Sequence, residues 1–447
     1  MEHEEKAVPL GETHASRRDS TQTSDTAVPT SEELGLPPVD RGRAAWGFMV
    51  ACWAVEALVF GFGFSFGIFQ EYYSTHQPFA GSANIAVIGT TTMGTMYIGT
   101  PFVIILCLKF RRWARWFTPM GLLISSLAMV ISSFCQNVPQ LIGVQGVLFG
   151  VGGCFAYCPC NVFIDEWFDR RKGMAYGVVW SAAGFGGVVL PLILEALLGR
   201  FGFRTAARIW AAIFFACSVP LSFFVKPRLP ASIAENNAAS KFAGVRLMRS
   251  RVFVLHQLAN LVQATGYFLP GIYLPTYARV MFGTSSFMSA LTVMLINIAA
   301  AIGNATMGTM TDKLRLPTCI LISSLGASTA VFALWGCSVS LPVLYVFCAF
   351  YGLFGGAWTA VWPGIMRDVA RRCQSEGYGH VEPVMVFGYL SVGRGVGNFI
   401  SGPLSEALLK GMPLQGQAIG AYGSGYGSLV IYAGLTALIS GISGVWR

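Results

Sequence analysis

Charged residues are scarce in this chain: only 11% of its 447 residues are Asp, Glu, Lys or Arg, whereas 54% are hydrophobic. A soluble protein carries about 25% charged residues, so the composition favours a chain dissolved mostly in lipid. The sequence also lacks a phosphate-binding loop ending in Lys-Ser/Thr and a plausible Ser/His/Asp set. Its 11 cysteines show no disulfide-framework spacing. We therefore expect that the protein is not an enzyme and that it binds neither a cofactor nor a metal ion.

The first 43 residues contain almost no large apolar side chains and lack the apolar core of a signal peptide. They are rich in Ser, Thr, Glu and Pro, which predicts a disordered cytoplasmic tail over residues 1–43. From residue 44 onward, apolar runs alternate with short polar breaks, and a membrane-spanning helix needs about 20 apolar residues. The pattern predicts twelve spans, near 45–69, 85–108, 116–135, 139–164, 174–198, 207–225, 252–280, 286–310, 318–339, 341–365, 384–409 and 427–446.

The basic residues are distributed very unequally between the two sides of these spans. Of the 30 Lys and Arg residues, 24 lie on the side of the amino terminus, five on the opposite side and one within a span. Because short cytoplasmic connectors are enriched in Lys and Arg, we expect both termini to be cytoplasmic. The net charge of +9 is explained by this asymmetry, so it does not indicate a nucleic-acid partner.

The basic connectors recur at an interval of about 200 residues, which indicates two six-helix halves in tandem. Lys109–Arg115 and Lys313–Arg315 are equivalent in this respect, as are Arg170–Lys172 and Arg371–Arg372. We expect an amino-terminal bundle over 44–226, a cytoplasmic connector over 227–250 and a carboxyl-terminal bundle over 251–447. Two tandem halves of six helices are the plan of the all-α major facilitator fold, in which the substrate site lies between the halves near the bilayer midplane.

Three segments resemble those of a known family. Gly308-Thr-Met-Thr-Asp312-Lys313 resembles the major facilitator signature at a cytoplasmic turn, where Gly allows close helix approach and Asp pairs with a base or a helix terminus. The connector containing Arg170, Arg171 and Gly173, and the span from Phe387 to Glu406, resemble the fungal branch of the monocarboxylate-transporter family. The resemblance covers residues 40–447 and implies a conformational role for Gly308, Asp312, Lys313, Arg170, Arg171 and Gly173.

Two departures separate the chain from animal lactate carriers of that family. The eighth span reads Asn297-Ile-Ala-Ala-Ala-Ile-Gly-Asn304 and lacks the family's Asp and Arg, with Asn304 near the position of the Arg. The first span lacks the family's Lys. These departures argue against lactate transport by the family's ion-pair mechanism and favour a larger, less polar solute.

Two ionisable residues fall in the middle of predicted spans, where a charge costs at least about 2.5–3.5 kcal/mol. Arg394 either faces a central cavity, where it can hold an anionic substrate, or bonds helix-end carbonyls between packed helices. Glu56 either couples protons or contacts substrate, or it is a structural partner of Arg394 or a polar helix contact. Further substrate-binding candidates are polar or aromatic residues of the seventh, eighth and tenth spans, with interfacial anchoring as the alternative for the aromatic ones: Gln263, Tyr267, Tyr273, Asn297, Asn304 and Trp358.

The sequence thus predicts a monomeric secondary carrier of the plasma membrane, which works by alternating access with proton coupling. Its expected partners are the lipid bilayer, protons and a small to medium organic solute, such as an organic acid or an acidic secondary metabolite. Export of a secondary metabolite is slightly favoured. The alternatives are uptake of monocarboxylates or other small metabolites and a non-transporting membrane sensor built on a carrier fold.

Overall fold

The computed structural model describes residues 36–82, 84–230, 247–377, 381–411 and 414–445. The described residues contain helices and no strand, so the predicted all-α class is confirmed. The α-helices are α1 Gly42–Phe64, α2 Phe66–Thr75, α3 Ile85–Lys109, α4 Arg111–Ser132, α5 Val138–Leu141, α6 Phe149–Trp167, α7 Lys172–Ser222, α8 Arg251–Phe282, α9 Ser286–Lys313, α10 Leu316–Thr329, α11 Leu341–Gly355, α12 Trp362–Ser375, α13 Pro383–Leu409, α14 Gly427–Ser440 and α15 Ile442–Val445. Short π or 3₁₀ segments join some of them: Ile142–Leu148, Ala330–Trp335 and Gly356–Val361.

Nine helical stretches in the described part of the chain are long and apolar enough to span a membrane. One of them, the 51-residue α7, changes direction at Gly202, where φ is +68°. Glycine adopts this left-handed conformation without a steric penalty, so α7 makes two consecutive crossings. Two more helices, α8 with 32 residues and α13 with 27, are long enough to cross but are not among the nine. They contain polar residues including Gln263 and Arg394, and with them the twelve predicted crossings are complete.

At two of the helix boundaries that differ from the sequence-based prediction, the difference has the same reason. The third crossing begins at Arg111 rather than at residue 116, and the tenth continues to Ser375 rather than ending at 365. Arg is a good helix former, so the helices continue beyond the apolar runs into their basic flanks. The predicted tail 1–43 and connector 227–250 lie largely outside the described residues.

The basic connectors gather at one end of the bundle, which we call the basic end: it contains the start of α1 and the connectors after α3, α6 and α9. The six amino-terminal crossings contact the six carboxyl-terminal ones mainly through two helix pairs, α7 with α9 and α3 with α13. Glycine permits the first contact, because a Cβ at Gly177 would lie 2.9 Å from the Gly308 Cα. Close packing of small residues is the usual basis of helix association in membranes.

Candidate substrate cavity

A central cavity lies between the amino-terminal and the carboxyl-terminal crossings, with lining residues from α1, α3, α6 and α7 on one side and α8, α9, α12 and α13 on the other. Five predicted site residues line it: Glu56, Tyr267, Asn297, Asn304 and Arg394. A second, apolar groove runs between α10 and α14, and its lining includes no ionisable side chain. The chemistry is therefore concentrated in the central cavity.

Glu56 provides a carboxylate from the middle of α1 and is only 1% exposed. Its Oε1 accepts a hydrogen bond from Asn161 Nδ2 at 3.0 Å. No cation pairs with it among the described residues, and Arg394 has other neighbours. An intramembrane carboxylate without a paired cation is a natural site for reversible protonation.

Arg394 provides a guanidinium from the middle of α13 and is 3% exposed. Its Nη1 donates to Gln263 Oε1 at 3.1 Å, while its Nε is buried without a hydrogen-bond partner. The guanidinium carbon lies 4.6 Å from the ring centroid of Tyr267 and 5.4 Å from that of Phe268. Aromatic faces stabilise a desolvated cation without neutralising it, so Arg394 keeps hydrogen-bonding capacity for an anion.

The two asparagines of α9 line the cavity on the same helix face. Asn297 Nδ2 donates to the Gly187 carbonyl at 3.2 Å, and Asn304 Oδ1 accepts from Thr359 Oγ1 at 3.3 Å. In each asparagine, one of the two polar atoms of the side-chain amide is therefore engaged in a contact within the protein.

Three other candidates lie outside the cavity lining. Gln263 is placed behind Arg394 as its acceptor. Trp358 Nε1 donates a hydrogen bond to Asn260 Oδ1 at 3.2 Å. The hydroxyl groups of Tyr273 and Ser405 are hydrogen-bonded to each other at 2.9 Å. Any effect of these three on substrate is therefore indirect in this conformation.

Three aromatic residues, Trp180, Trp362 and Phe387, line the cavity on the side of the basic end, and we call them the aromatic floor. Trp180 stacks on Phe387 at 5.6 Å between ring centroids, and Trp362 lies 6.0 Å from Trp180 and 5.8 Å from Phe387. Phe387 precedes Arg394 by two helical turns, or about 10 Å along the axis. Since Trp180 belongs to α7 while the other two rings belong to α12 and α13, the floor joins both sets of crossings.

The sequence analysis did not identify the three residues of the aromatic floor as site residues. It also missed the cavity tyrosines Tyr97 and Tyr157. A usable signal was present for Trp180, because it follows Gly173 of the signature connector on the same helix by about two turns. No such signal distinguishes Tyr97 and Tyr157 from the many other aromatic residues in apolar runs.

The signature residues meet at the basic end. Asp312 accepts the backbone N–H groups of Gly173 and Met174, both at 2.8 Å, and pairs with Arg367 Nη1 at 3.0 Å. A carboxylate is favourable at the first turn of a helix because the free N–H groups and the helix dipole attract negative charge. Asp312 thus connects α9 with the start of α7.

The remaining signature residues surround that contact. Gly308 packs against Gly173 and Gly177 of α7. The backbone N–H groups of Arg170 and Arg171 donate to the Asp40 carboxylate at 3.1 and 3.2 Å, and the side chain of Lys313 is exposed. The conformational roles of these residues remain predictions.

The described helices, the basic end and the central cavity define a polytopic integral membrane protein with the organisation of a carrier. The Major Facilitator Superfamily model matches residues 45–402. The chain belongs to the major facilitator superfamily.

Curated relatives are fungal transporters. The chain is similar to the MFS-type transporter pytF of Aspergillus terreus, at 32% identity over 65% of this chain and 97% of that protein. It is 27% identical to the MFS-type transporter pynF of Aspergillus niger, over 88% and 91% of the two chains. It is 25% identical to the aspyridones efflux protein apdF of Emericella nidulans, over 96% and 82%. These relatives leave the closer assignment to the monocarboxylate-transporter family a prediction.

Among solved structures, the fold is similar to that of the proton:xylose symporter XylE bound to 6-bromo-6-deoxy-D-glucose. The TM-score is 0.62, with 14% sequence identity and coverage of 90% of this chain and 94% of that one. At this identity the match shows the fold alone, and it agrees with the predicted major facilitator architecture.

Proposed function

We propose that this protein is a proton-coupled carrier that exports an acidic secondary metabolite by alternating access. The observation that carries this proposal is Arg394, a buried guanidinium at the cavity wall with an unpartnered Nε. A carboxylate or other anion from the substrate would satisfy the donors that the protein leaves free.

The aromatic lining favours a substrate with substantial apolar or planar surface. Phe60, Phe64, Tyr97, Tyr157 and Tyr267 line the cavity together with the aromatic floor. Apolar walls with a few placed polar groups are typical of small-molecule sites. A bulky organic acid fits this chemistry better than lactate does.

Glu56 is our candidate for the proton site. Asn161 supplies one hydrogen bond to the carboxylate, and protonation would remove a charge that no neighbouring cation neutralises. Because Glu56 and Arg394 line the same cavity, a proton and an anionic substrate can influence each other across it.

Export is favoured by the relatives, since one of those described above is named as an efflux protein. Uptake of a monocarboxylate is the alternative function. We further propose a monomer in the plasma membrane with both termini cytoplasmic, in keeping with the basic connectors.

Reconstituted vesicles with an imposed pH gradient test the role of Arg394. A panel of aromatic and aliphatic organic acids is compared with the corresponding methyl esters. For a transported acid, Arg394→Gln should lower the rate at least about tenfold, the factor that corresponds to the loss of about 1.4 kcal/mol.

The control is Arg208→Gln. The Arg208 guanidinium carbon also lies over an aromatic ring, 4.7 Å from the centroid of Phe134, but the residue is not part of the cavity lining. The Arg208→Gln variant should leave transport unchanged. Equal rates for Arg394→Gln and the unmodified protein, with every acid that is carried, would refute the anion site.

A second variant separates coupling from binding. Glu56→Gln should remove the dependence of net flux on the pH gradient while substrate exchange across the membrane continues. If this variant still moves protons together with substrate, Glu56 is not the coupling group.

A further inference from the structure

Asn161 lies directly behind the cavity wall, between the proposed proton site and the aromatic floor. It is fully buried in α6 and is not itself part of the cavity lining. Its Nδ2 donates to Glu56 Oε1 at 3.0 Å and, within α6, to the Tyr157 carbonyl at 3.2 Å, and its Oδ1 accepts from Trp180 Nε1 at 2.9 Å. One side-chain amide therefore connects a carboxylate of α1 with an indole of α7.

The chemistry of the two neighbours fixes the orientation of this amide. An indole N–H is only a donor, so the oxygen of Asn161 must face Trp180. The amide nitrogen must then face Glu56, which presents an acceptor oxygen. The opposite orientation would place a donor against a donor and leave a buried carboxylate without its hydrogen bond.

We infer that Asn161 is a positioning residue that transmits the protonation state of Glu56 to Trp180 and thereby to the aromatic floor. This inference rests on the proposed role of Glu56 in proton coupling. When Glu56 is ionised, the bond from Asn161 is charge-assisted and holds the amide firmly. The amide in turn holds the Trp180 indole in its stack on Phe387.

Proton uptake by Glu56 converts the carboxylate into a carboxylic acid without any other bond being made or broken. The hydrogen bond from Asn161 then becomes an ordinary one between neutral groups, which is weaker. Trp180 is held less firmly, and the floor between the two sets of crossings loosens. Protonation inside the cavity thus favours opening toward the basic end.

The other ionisable side chains around Glu56 on its own helix, α3 and α6 are thiols and phenols. Cys52 lies one turn away on the same helix, Tyr97 faces it from α3, and Tyr157 and Cys160 belong to α6. Arg394 lies across the cavity beside Tyr97 and Tyr267. None of these provides a second route from Glu56 to the floor, because Asn161 is the side chain that bonds both Glu56 and Trp180.

Hydrogen exchange of the full-length protein in lipid nanodiscs tests the inference without knowledge of the substrate. Amide exchange is followed in peptides that cover the floor, near residues 174–184 and 385–395. It is measured at mildly acidic and mildly alkaline pH, with labelling times scaled for the intrinsic pH dependence of amide exchange. The unmodified protein should exchange about fivefold faster at acidic pH, the factor expected when a hydrogen bond to a charged group becomes a neutral one.

Three variants should lose this difference. Glu56→Gln removes the titrating group, Asn161→Ala removes the amide, and Trp180→Phe keeps a ring for stacking but removes the N–H donor. Tyr176→Phe is the matched control, because the Tyr176 hydroxyl donates to the backbone carbonyl of Asn161 at 3.0 Å and not to its amide. This control should keep the pH response.

The possible results distinguish the two proposals. If Glu56→Gln abolishes the response while Asn161→Ala and Trp180→Phe retain it, Glu56 titrates but the transmission through Asn161 is wrong. If Glu56→Gln retains the response, or the unmodified protein shows none, proton binding at Glu56 does not control the floor and the inference fails. The role of Glu56 in proton coupling is then decided separately, by the flux measurement on Glu56→Gln. Loss of the response in Tyr176→Phe as well would show a general packing effect and would also overturn the inference.

Discussion

The connectors after α3 and α9 occupy equivalent places in the two sets of crossings. One of them makes its contact within its own set, whereas the other makes a contact between the two sets. In the first connector, Arg111 forms a buried ion pair with Glu166, and both residues belong to the amino-terminal crossings. In the second, Asp312 reaches across to the start of α7. The first stabilises one set of crossings internally, whereas the second links the two sets.

The difference follows from the sequence of the first connector. It contains basic residues but no acid, reading Lys109-Phe-Arg-Arg-Trp-Ala-Arg115. Without an acceptor for backbone N–H groups, this connector cannot bind a helix N-terminus as Asp312 does. Arg111 instead binds Glu166, whose other oxygen accepts the N–H groups of Arg228 and Leu229 at 3.0 and 3.1 Å. Asp312 therefore makes a contact between the two sets of crossings that the first connector does not make.

The largest effect is expected from breaking the internal ion pair. The side chains of Arg111 and Glu166 are only 5% and 11% exposed, so Arg111→Gln leaves a buried carboxylate without its cation. Removing one partner of a buried pair costs about 3–5 kcal/mol, and we expect a clear decrease in the thermal unfolding temperature in detergent. The double variant Arg111→Gln, Glu166→Gln should be less destabilised than the sum of the single variants; additive effects would mean that the pair does not stabilise the fold.

A smaller but conformationally specific effect is expected from Asp312→Asn. The amide keeps an oxygen acceptor but loses the charge that attracts Arg367 and the first turn of α7. A loss of about 1–2 kcal/mol should populate conformations with an open basic end. Spin labels introduced through Arg171→Cys and Arg371→Cys, with Cys217→Ser and Cys337→Ser to remove the exposed native thiols, would report a longer distance component.

Asp40→Asn is the matched control for Asp312→Asn. The Asp40 carboxylate also accepts backbone N–H groups of the connector before α7, those of Asp169, Arg170 and Arg171 at 3.1–3.2 Å. Both sides of this contact belong to the amino-terminal crossings. Asp40→Asn should lower thermal stability without changing the distance between the spin labels. An equal change of this distance in Asp40→Asn and Asp312→Asn would contradict the distinction between contacts within one set of crossings and contacts between the two sets.

Much of this arrangement could be predicted from the sequence. The high hydrophobic content and the spacing of the apolar runs predicted twelve crossings. Gly308 and Asp312 were recognisable because the signature at a turn consists of neighbouring residues. Arg394 and Glu56 were found because ionisable residues are costly and therefore conspicuous in apolar segments. Each of these signals is contained in a few neighbouring residues.

The partners of these residues could not be predicted in the same way. Asn161 and Trp180 are 19 positions apart, and Glu56 is more than 100 positions from Asn161. Nothing in the local pattern around Cys160-Asn161 states which helix it faces, because α6 is buried on most sides and has no single polar stripe. Trp358 illustrates the reverse error: its type suggested a cavity residue, whereas packing directs its indole toward Asn260.

The smallest effects on stability are expected from substitutions of the exposed basic residues in the two connectors. The expected change in the free energy of unfolding differs in sign between the two connectors. Lys313 lies in the last turn of α9, where a cation is favourable, while Arg112 lies in the first turn of α4, where it is not. Lys313→Gln should therefore destabilise by about 0.3 kcal/mol, and Arg112→Gln should be neutral or slightly stabilising. Thermal unfolding at low and high salt checks this, because the difference between the two variants should shrink as salt screens the helix dipoles. Equal shifts of the same sign in both variants would show that the helix termini do not set the energetics of these connectors.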